Sequence, residues 1–166
     1  EIQIWDQNKK RLFEQPKIEY TIRSIISLIN SIKLCQYKYP NLRTCFAHGG
    51  MLGIANYGRR IQGYDGRPDI FEKLEDPRKT LGHKNLYFDT LVHDSYTLDL
   101  LKKRVGASQI MMGLDDPFPL GEMEGVGTSY PGRVIDYAIK IGVLSKQEGQ
   151  DIWHKNVLNW LGKEIS

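Results

Sequence analysis

The chain has 166 residues, of which 40% are hydrophobic and 26% charged, with 16 glycines and 7 prolines. This ordinary globular composition excludes disorder and a collagen-like repeat, and no apolar run approaches the roughly 18 residues of a membrane span. Its 23 Lys and Arg against 20 Asp and Glu give a net charge of +3, too mild a balance to argue for a nucleic-acid partner.

The basic runs Lys9-Lys10-Arg11 and Lys102-Lys103-Arg104 each adjoin a helical apolar pattern and read as solvated helix faces. Two cysteines, Cys35 and Cys45, make no disulfide framework. Cys45 stands in a strand pattern and reads as a small core residue. No signal peptide is visible, so a cytoplasmic setting without a membrane partner is expected. The chain opens on Glu1 rather than Met, as expected of a processed product, a fragment or part of something longer.

Taken in order, residues 1–19 read as an irregular lead-in with room for a short helix. From Thr21, the spacing of Ile22, Ile25, Ile26, Ile29 and Ile32 predicts a helix ending near Tyr39, with Pro40 just beyond. Residues 42–47 form a short strand pattern that ends in His48-Gly49-Gly50. Residues 51–83 are rich in Gly and Pro, hold Arg59 and Arg60, and predict a long connection with one helix near 53–62. Residues 85–90 are a second strand. Ser95 is the expected N-cap of a helix to Val105, with Gly106 closing it. Residues 109–114 are a third strand, followed by Asp115-Asp116-Pro117-Phe118. Helices over 132–141 and 145–161 finish the chain, and Ser145 with Glu148 has the capping-box spacing.

Strands alternating with helices predict an α/β fold with a parallel sheet. Three parallel strands leave two bare edges, and parallel sheets are normally covered. The chain therefore reads over 1–166 as a single partial domain, a piece of a larger sheet.

Polar groups fall at the C-terminal ends of the predicted strands, where α/β folds build their sites. His48 follows the first, Asp89 and His93 end and follow the second, and Asp115 follows the third. His48 suits acid–base work and equally a loop histidine bonded to a carbonyl. Asp115 reads by spacing as a turn or as a carboxylate metal ligand. The strand alternation disfavours Asp116. Arg59, Arg60 and Arg67 could hold an acidic substrate or face solvent. His83 and His154 have no partners in sequence, and His154 reads as structural. The glycines from 121 to 127 lack the G-x-G-x-x-G spacing, so no nucleotide loop is read there.

Several strings together resemble a known family. They are Cys45-Phe46-Ala47-His48-Gly49-Gly50, Gly58-Arg59, Arg67-Pro68-Asp69, Leu91-Val92-His93-Asp94, and the run from Gly113-Leu114-Asp115-Asp116-Pro117-Phe118 to Pro119-Leu120-Gly121-Glu122. They resemble the 2-amino-3-carboxymuconate-6-semialdehyde decarboxylases of the amidohydrolase superfamily. The likeness runs from about Pro40 to Glu122 and is looser outside, where Asn159-Trp160-Leu161-Gly162 still fits.

The resemblance implies the C-terminal part of a distorted (β/α)8 TIM-type barrel, with zinc or another divalent metal at its mouth. It implies Asp115 as metal ligand and catalytic residue, and His48 as the catalytic histidine that works on water at the metal. Arg59 resembles an arginine lent by a neighbouring subunit to the substrate carboxylate, which implies a homodimer. Arg67 matches a second substrate-binding arginine, and His93 a supporting residue that does not touch the metal. The implied activity is non-oxidative decarboxylation of a small carboxylate such as an aminocarboxymuconate semialdehyde. A metal-dependent hydrolase of the same superfamily, and a catalytically incomplete fragment with a binding or assembly role, are the alternatives.

The chain departs from the family in two ways. Asp116 stands where the family usually has Tyr. The family's His-x-His pair and third histidine are missing, since the four histidines are His48, His83, His93 and His154. A barrel of this kind runs to about 250 residues, so the chain is expected to cover the last three strands of eight.

Overall fold

A computed structural model describes residues 5–6, 11–12, 39, 41–71, 76–81 and 83–163. The chain divides into two compact units, Glu1–Leu42 and Arg43–Ser166.

In the first unit, β1 (Trp5–Asp6) pairs antiparallel with β2 (Arg11–Leu12), Trp5 opposite Leu12 and Asp6 opposite Arg11. The lead-in is therefore extended at these positions, where the sequence left room for a helix. The helix predicted from Thr21 falls outside the described residues except at Tyr39, whose carbonyl accepts from the Leu42 N–H at 2.9 Å.

The second unit is built on β3 (Thr44–Phe46), β4 (Leu86–Asp89) and β5 (Ile110–Met111), parallel and in the order β3-β4-β5. Phe46 pairs with Phe88, and Phe88 with Ile110. Leu86, Tyr87 and Phe88 are buried, as a central parallel strand with both faces covered requires. The strands are shorter than their sequence patterns because their ends bond elsewhere. The Met112 N–H donates to the Ile152 carbonyl at 3.0 Å, and the Gly113 N–H to Thr90 Oγ1 at 3.3 Å.

The connection after β3 is more helical than its composition predicts. It holds α1 (Met51–Ala55), α2 (Tyr57–Gly66), α3 (Pro68–Phe71) and α4 (Pro77–Leu81) where one helix was expected. Pro68 and Pro77 open helices rather than break them, since the first helical position needs no N–H donor. After β4 comes α5 (Ser95–Val105), and its cap corrects the sequence reading. Asp94, not Ser95, is the N-cap: its carboxylate accepts from Tyr96 N at 3.3 Å and Thr97 N at 2.8 Å.

α6 (Arg133–Lys140) follows β5. The last helix is α7 (Lys146–Gln150), a π-helical turn (Asp151–Lys155) and α8 (Asn156–Leu161) run together. The capping box of Ser145 and Glu148 forms as its spacing predicts. Asn156 is buried in this helix, and its Nδ2 donates to the carbonyls of Ala107 and Ile110, holding the helix against the start of β5.

The core joins the sheet to these helices through Phe88, Ile110, Leu98, Leu101, Ile135, Ala138 and Ile152. Cys45 lies half-buried in β3 rather than in this core. Among the described residues, no helix is long and apolar enough to cross a membrane.

Candidate active site

His48, His93 and Asp115 have φ of 55°, 58° and 59°, and they are the only non-glycine residues with positive φ among those described. Left-handed backbone is uncommon for residues with a Cβ and is held only where surroundings over-determine it. Each of the three follows a different strand of the parallel sheet, on its C-terminal side.

The turn after His48 is set by packing on β4. A Cβ on Gly49 would stand 2.5 Å from Val92 Cγ1, and one on Gly50 would stand 2.9 Å from the Phe88 ring. The glycine pair therefore lets the chain lie directly on β4 and on the segment that follows it. Asp89 holds it there, since Oδ1 accepts from Gly49 N at 2.9 Å and from Leu91 N at 3.1 Å.

The loop that carries Asp115 is closed by its own backbone. Glu122 N donates to Leu114 O at 2.9 Å, Phe118 N to Asp115 O at 2.7 Å, and Gly121 N to Phe118 O at 2.9 Å. The Asp116–Pro117 peptide in this loop is cis.

These two arrangements bring His48 Nε2 to 3.4 Å from Asp115 Oδ2, with the side chains 63% and 28% exposed. The separation is wider than an ordinary N–H···O bond, and solvent reaches both groups. An imidazole nitrogen and a carboxylate oxygen are the donor types that zinc and other first-row divalent ions take. A protein metal site wants three or four such donors. Among the described residues, no three His, Cys, Asp or Glu side chains come together to hold an ion. Asp115 fits as one donor of a metal centre with His48 beside it, and the described residues do not complete that centre.

Asp116 is exposed beside the pair. His93 is exposed, and its carbonyl accepts from Arg133 Nη2 at 3.4 Å. Arg133 also faces Glu122, with Nε 3.9 Å from Oε1. Glu122 is fully buried; its Oε1 accepts from Val134 N at 2.9 Å, at the start of α6. Burial pushes its carboxyl above the usual range, opposed by the Val134 N–H and the Arg133 charge. Thus the Asp115 loop is anchored through Glu122 to α6, and α6 through Arg133 to His93.

The arginines divide. Arg67 is exposed and tied to Asp69 by two parallel bonds, Nε to Oδ1 at 2.9 Å and Nη2 to Oδ2 at 2.8 Å. Arg59 is exposed on α2 and has no hydrogen bond or ion pair among the described residues. Arg60 is partly buried beside Tyr57. His83 serves its loop, with Nδ1 accepting from Asn85 N at 3.3 Å, and His154 is exposed on the π-helical turn.

No protein-family model matches the chain. The chain is 34% identical over 127 residues to the 2-amino-3-carboxymuconate-6-semialdehyde decarboxylase of Dictyostelium discoideum, a match covering 75% of this chain and 32% of that protein. It is 37% identical over 125 residues to the enzyme of that name from Caenorhabditis elegans, covering 74% of this chain and 28% of that one. The chain is a homologue of these decarboxylases, in the amidohydrolase superfamily.

Solved amidohydrolase structures share its fold. The crystal structure of Metarhizium anisopliae IDCase in apo form superposes with a TM-score of 0.56 at 20% identity, over 73% of this chain and 34% of that one. The 4-oxalomesaconate hydratase of Rhodopseudomonas palustris gives 0.50 at 24% identity, over 75% of this chain and 36% of that one. Both are TIM-barrel amidohydrolases, and the parallel strands and helices here are part of such a barrel. The chain spans 32% and 28% of the lengths of the curated relatives it matches.

The roles of two residues in this candidate site are not readable from the sequence. Asp89 was visible as a strand-end carboxylate, but its bond to the Gly49 N–H has no local signature. Glu122 stood in the family-like string, yet nothing in the spacing told that it would be buried against α6.

Proposed function

We propose that the protein containing this chain is a divalent-metal-dependent carboxy-lyase, with zinc as its metal, acting on a small carboxylate such as an aminocarboxymuconate semialdehyde. The observation that carries this reading is the approach of His48 to Asp115 in a homologue of decarboxylases. Asp115, with donors beyond those described, would hold the metal. The metal, when bound, supplies positive charge that stabilises developing anions and acidifies water.

The chain's own residues supply the rest. His48 is exposed beside Asp115, so its Nε2 can take up a proton and hand it to the carbon from which CO₂ departs. The C–C bond electrons stay on that carbon, the proton fills the place of the carboxylate, and the product keeps its oxidation state. Arg59, which has no partner among the described residues, would hold a substrate carboxylate by paired N–H bonds and fix its orientation. Its exposure suits a site in a second subunit, so a homodimer is part of the proposal.

The test is product analysis on the purified protein with zinc and the semialdehyde acid. One CO₂ released per substrate consumed supports the carboxy-lyase. A carboxylic acid or alcohol formed by added water, without CO₂, overturns it in favour of a hydrolase of the same superfamily.

A further inference from the structure

Asp89 ends β4, between the strands that deliver His48 and Asp115, and the chemistry above gives it no part. On one side its Oδ1 accepts the N–H of Gly49, the residue after His48, at 2.9 Å. On the other side lies Gly113, two residues before Asp115. A Cβ on Gly113 would stand 2.7 Å from Asp89 Cβ and 3.0 Å from Asp89 Oδ2, so the backbone there rests directly on this side chain. Strands β3 and β5 each pair with β4 and not with each other. One side chain thus abuts the segments leading to both members of the pair.

We propose that Asp89 is a positioning residue that sets the His48 imidazole against the Asp115 carboxylate. The proposal rests on the reading of those two residues as the working pair. A carboxylate that accepts two backbone N–H groups forms strong, directional bonds. Those bonds hold the Gly49 and Leu91 amides together, while the bulk of the side chain sets how near the Asp115 segment can come. His48 and Asp115 both have left-handed backbone, so each depends on its surroundings to stay in place.

The test compares Asp89→Ala, Asp89→Asn and Asp94→Ala in the purified protein, measuring kcat, KM and thermal stability. Asp94→Ala is the control, since it also removes a carboxylate from two backbone N–H groups but lies outside the two segments. A misplacement near 1 Å costs about 100-fold in rate, so Asp89→Ala is expected to lower kcat by that order with KM unchanged. Asp89→Asn, whose amide oxygen can accept both N–H bonds, recovers most of kcat. Asp94→Ala loses stability and keeps kcat. Wild-type kcat in Asp89→Ala, or failure of Asp89→Asn to recover it, overturns the proposal.

If Asp89→Ala does not fold, Gly113→Ala carries the test, because its methyl group must push Asp89 away. Lost kcat supports the proposal and wild-type kcat overturns it. Should the wild type release no CO₂, the reaction is wrong and Asp89 is judged by NMR. A nuclear Overhauser contact between His48 Hε1 and the Asp115 β-protons, present in wild type and Asp89→Asn but lost in Asp89→Ala or Gly113→Ala, supports its positioning role. The same contact kept in both disruptive variants overturns it.

Discussion

His48 Nε2 and Asp115 Oδ2 stand 3.4 Å apart although they follow strands that are not neighbours in the sheet. β4 lies between those strands, so the two residues must turn toward each other beyond its end. Left-handed backbone at both makes that turn. The strain each carries, of order 1–3 kcal/mol, is compensated by the bonds around it, from Asp89 on one side and the closed Asp115 loop on the other.

This pairing predicts separable losses. His48→Asn removes the proton carrier while keeping a polar side chain at an exposed position. It should lower kcat by about 10²- to 10⁴-fold, with the melting temperature and bound metal unchanged. Asp115→Ala should lower both kcat and metal content, and elemental analysis of the purified variants separates the two effects. Equal metal in wild type and Asp115→Ala would remove Asp115 from the ligand set.

The placement of these residues beyond the strand ends is legible in the sequence. The strand ends at His48, His93 and Asp115 could be read because parallel strands carry apolar runs that stop at polar residues, a local pattern. The Asp115-Asp116-Pro117 turn and the glycines after His48 can be read because backbone chemistry restricts what may stand there. What could not be read was long-range. The helices of residues 51–81 were hidden because Pro at a helix start and Pro in a loop look alike until the preceding chain direction is known. Asp94 and Ser95 are both good N-caps, and only the turn at His93 decides between them. Glu122 ends the family-like string, and its burial has no local sign, because α6 arrives from later in the chain to receive it.

The arginines should behave differently under substitution. Arg59 has no partner among the described residues, so Arg59→Ala should leave folding intact and raise KM. Loss of a charged hydrogen bond to substrate is worth about 1.5–3 kcal/mol, a rise of roughly 10- to 100-fold. Arg67 is already engaged by Asp69 in an exposed bidentate pair. Arg67→Ala should therefore change KM less than Arg59→Ala does. Steady-state kinetics on the two variants, with circular dichroism as the folding control, gives the comparison.

Cys45 should resist thiol reagents. Its pKa is pushed up to about 11, first by burial and then by the Asp89 carboxylate. The reactive species is the thiolate, so at neutral pH alkylation should run roughly 100-fold slower than for a thiol at the ordinary value of 9.0. In a Cys35→Ser background, the rate should climb with pH until the thiol ionises. Asp89→Asn should speed it modestly, since it removes the smaller of the two causes. Rapid labelling of Cys45 in the folded wild type at pH 7 would contradict the burial described for β3.

Glu122 should make stability depend on pH in the opposite direction to an ion-paired acid. Its carboxyl lies above the usual range because burial penalises the charge more than Val134 N–H and Arg133 relieve it. A group whose pKa is raised on folding contributes its full stability below its unfolded pKa, about 4.3 for Glu. That contribution is lost as pH rises through the folded value. Glu122→Gln keeps the shape and an oxygen for the Val134 N–H but has no charge to bury. Groups that do not interact with Glu122 contribute equally to both proteins, so the difference between them reports this carboxyl together with its coupling to Arg133 and His93. Denaturant unfolding at pH 4 and pH 8 should show Glu122→Gln gaining on the wild type as pH rises. A difference that stays constant, or moves the other way, would mean that Arg133 holds the carboxylate ionised at little cost.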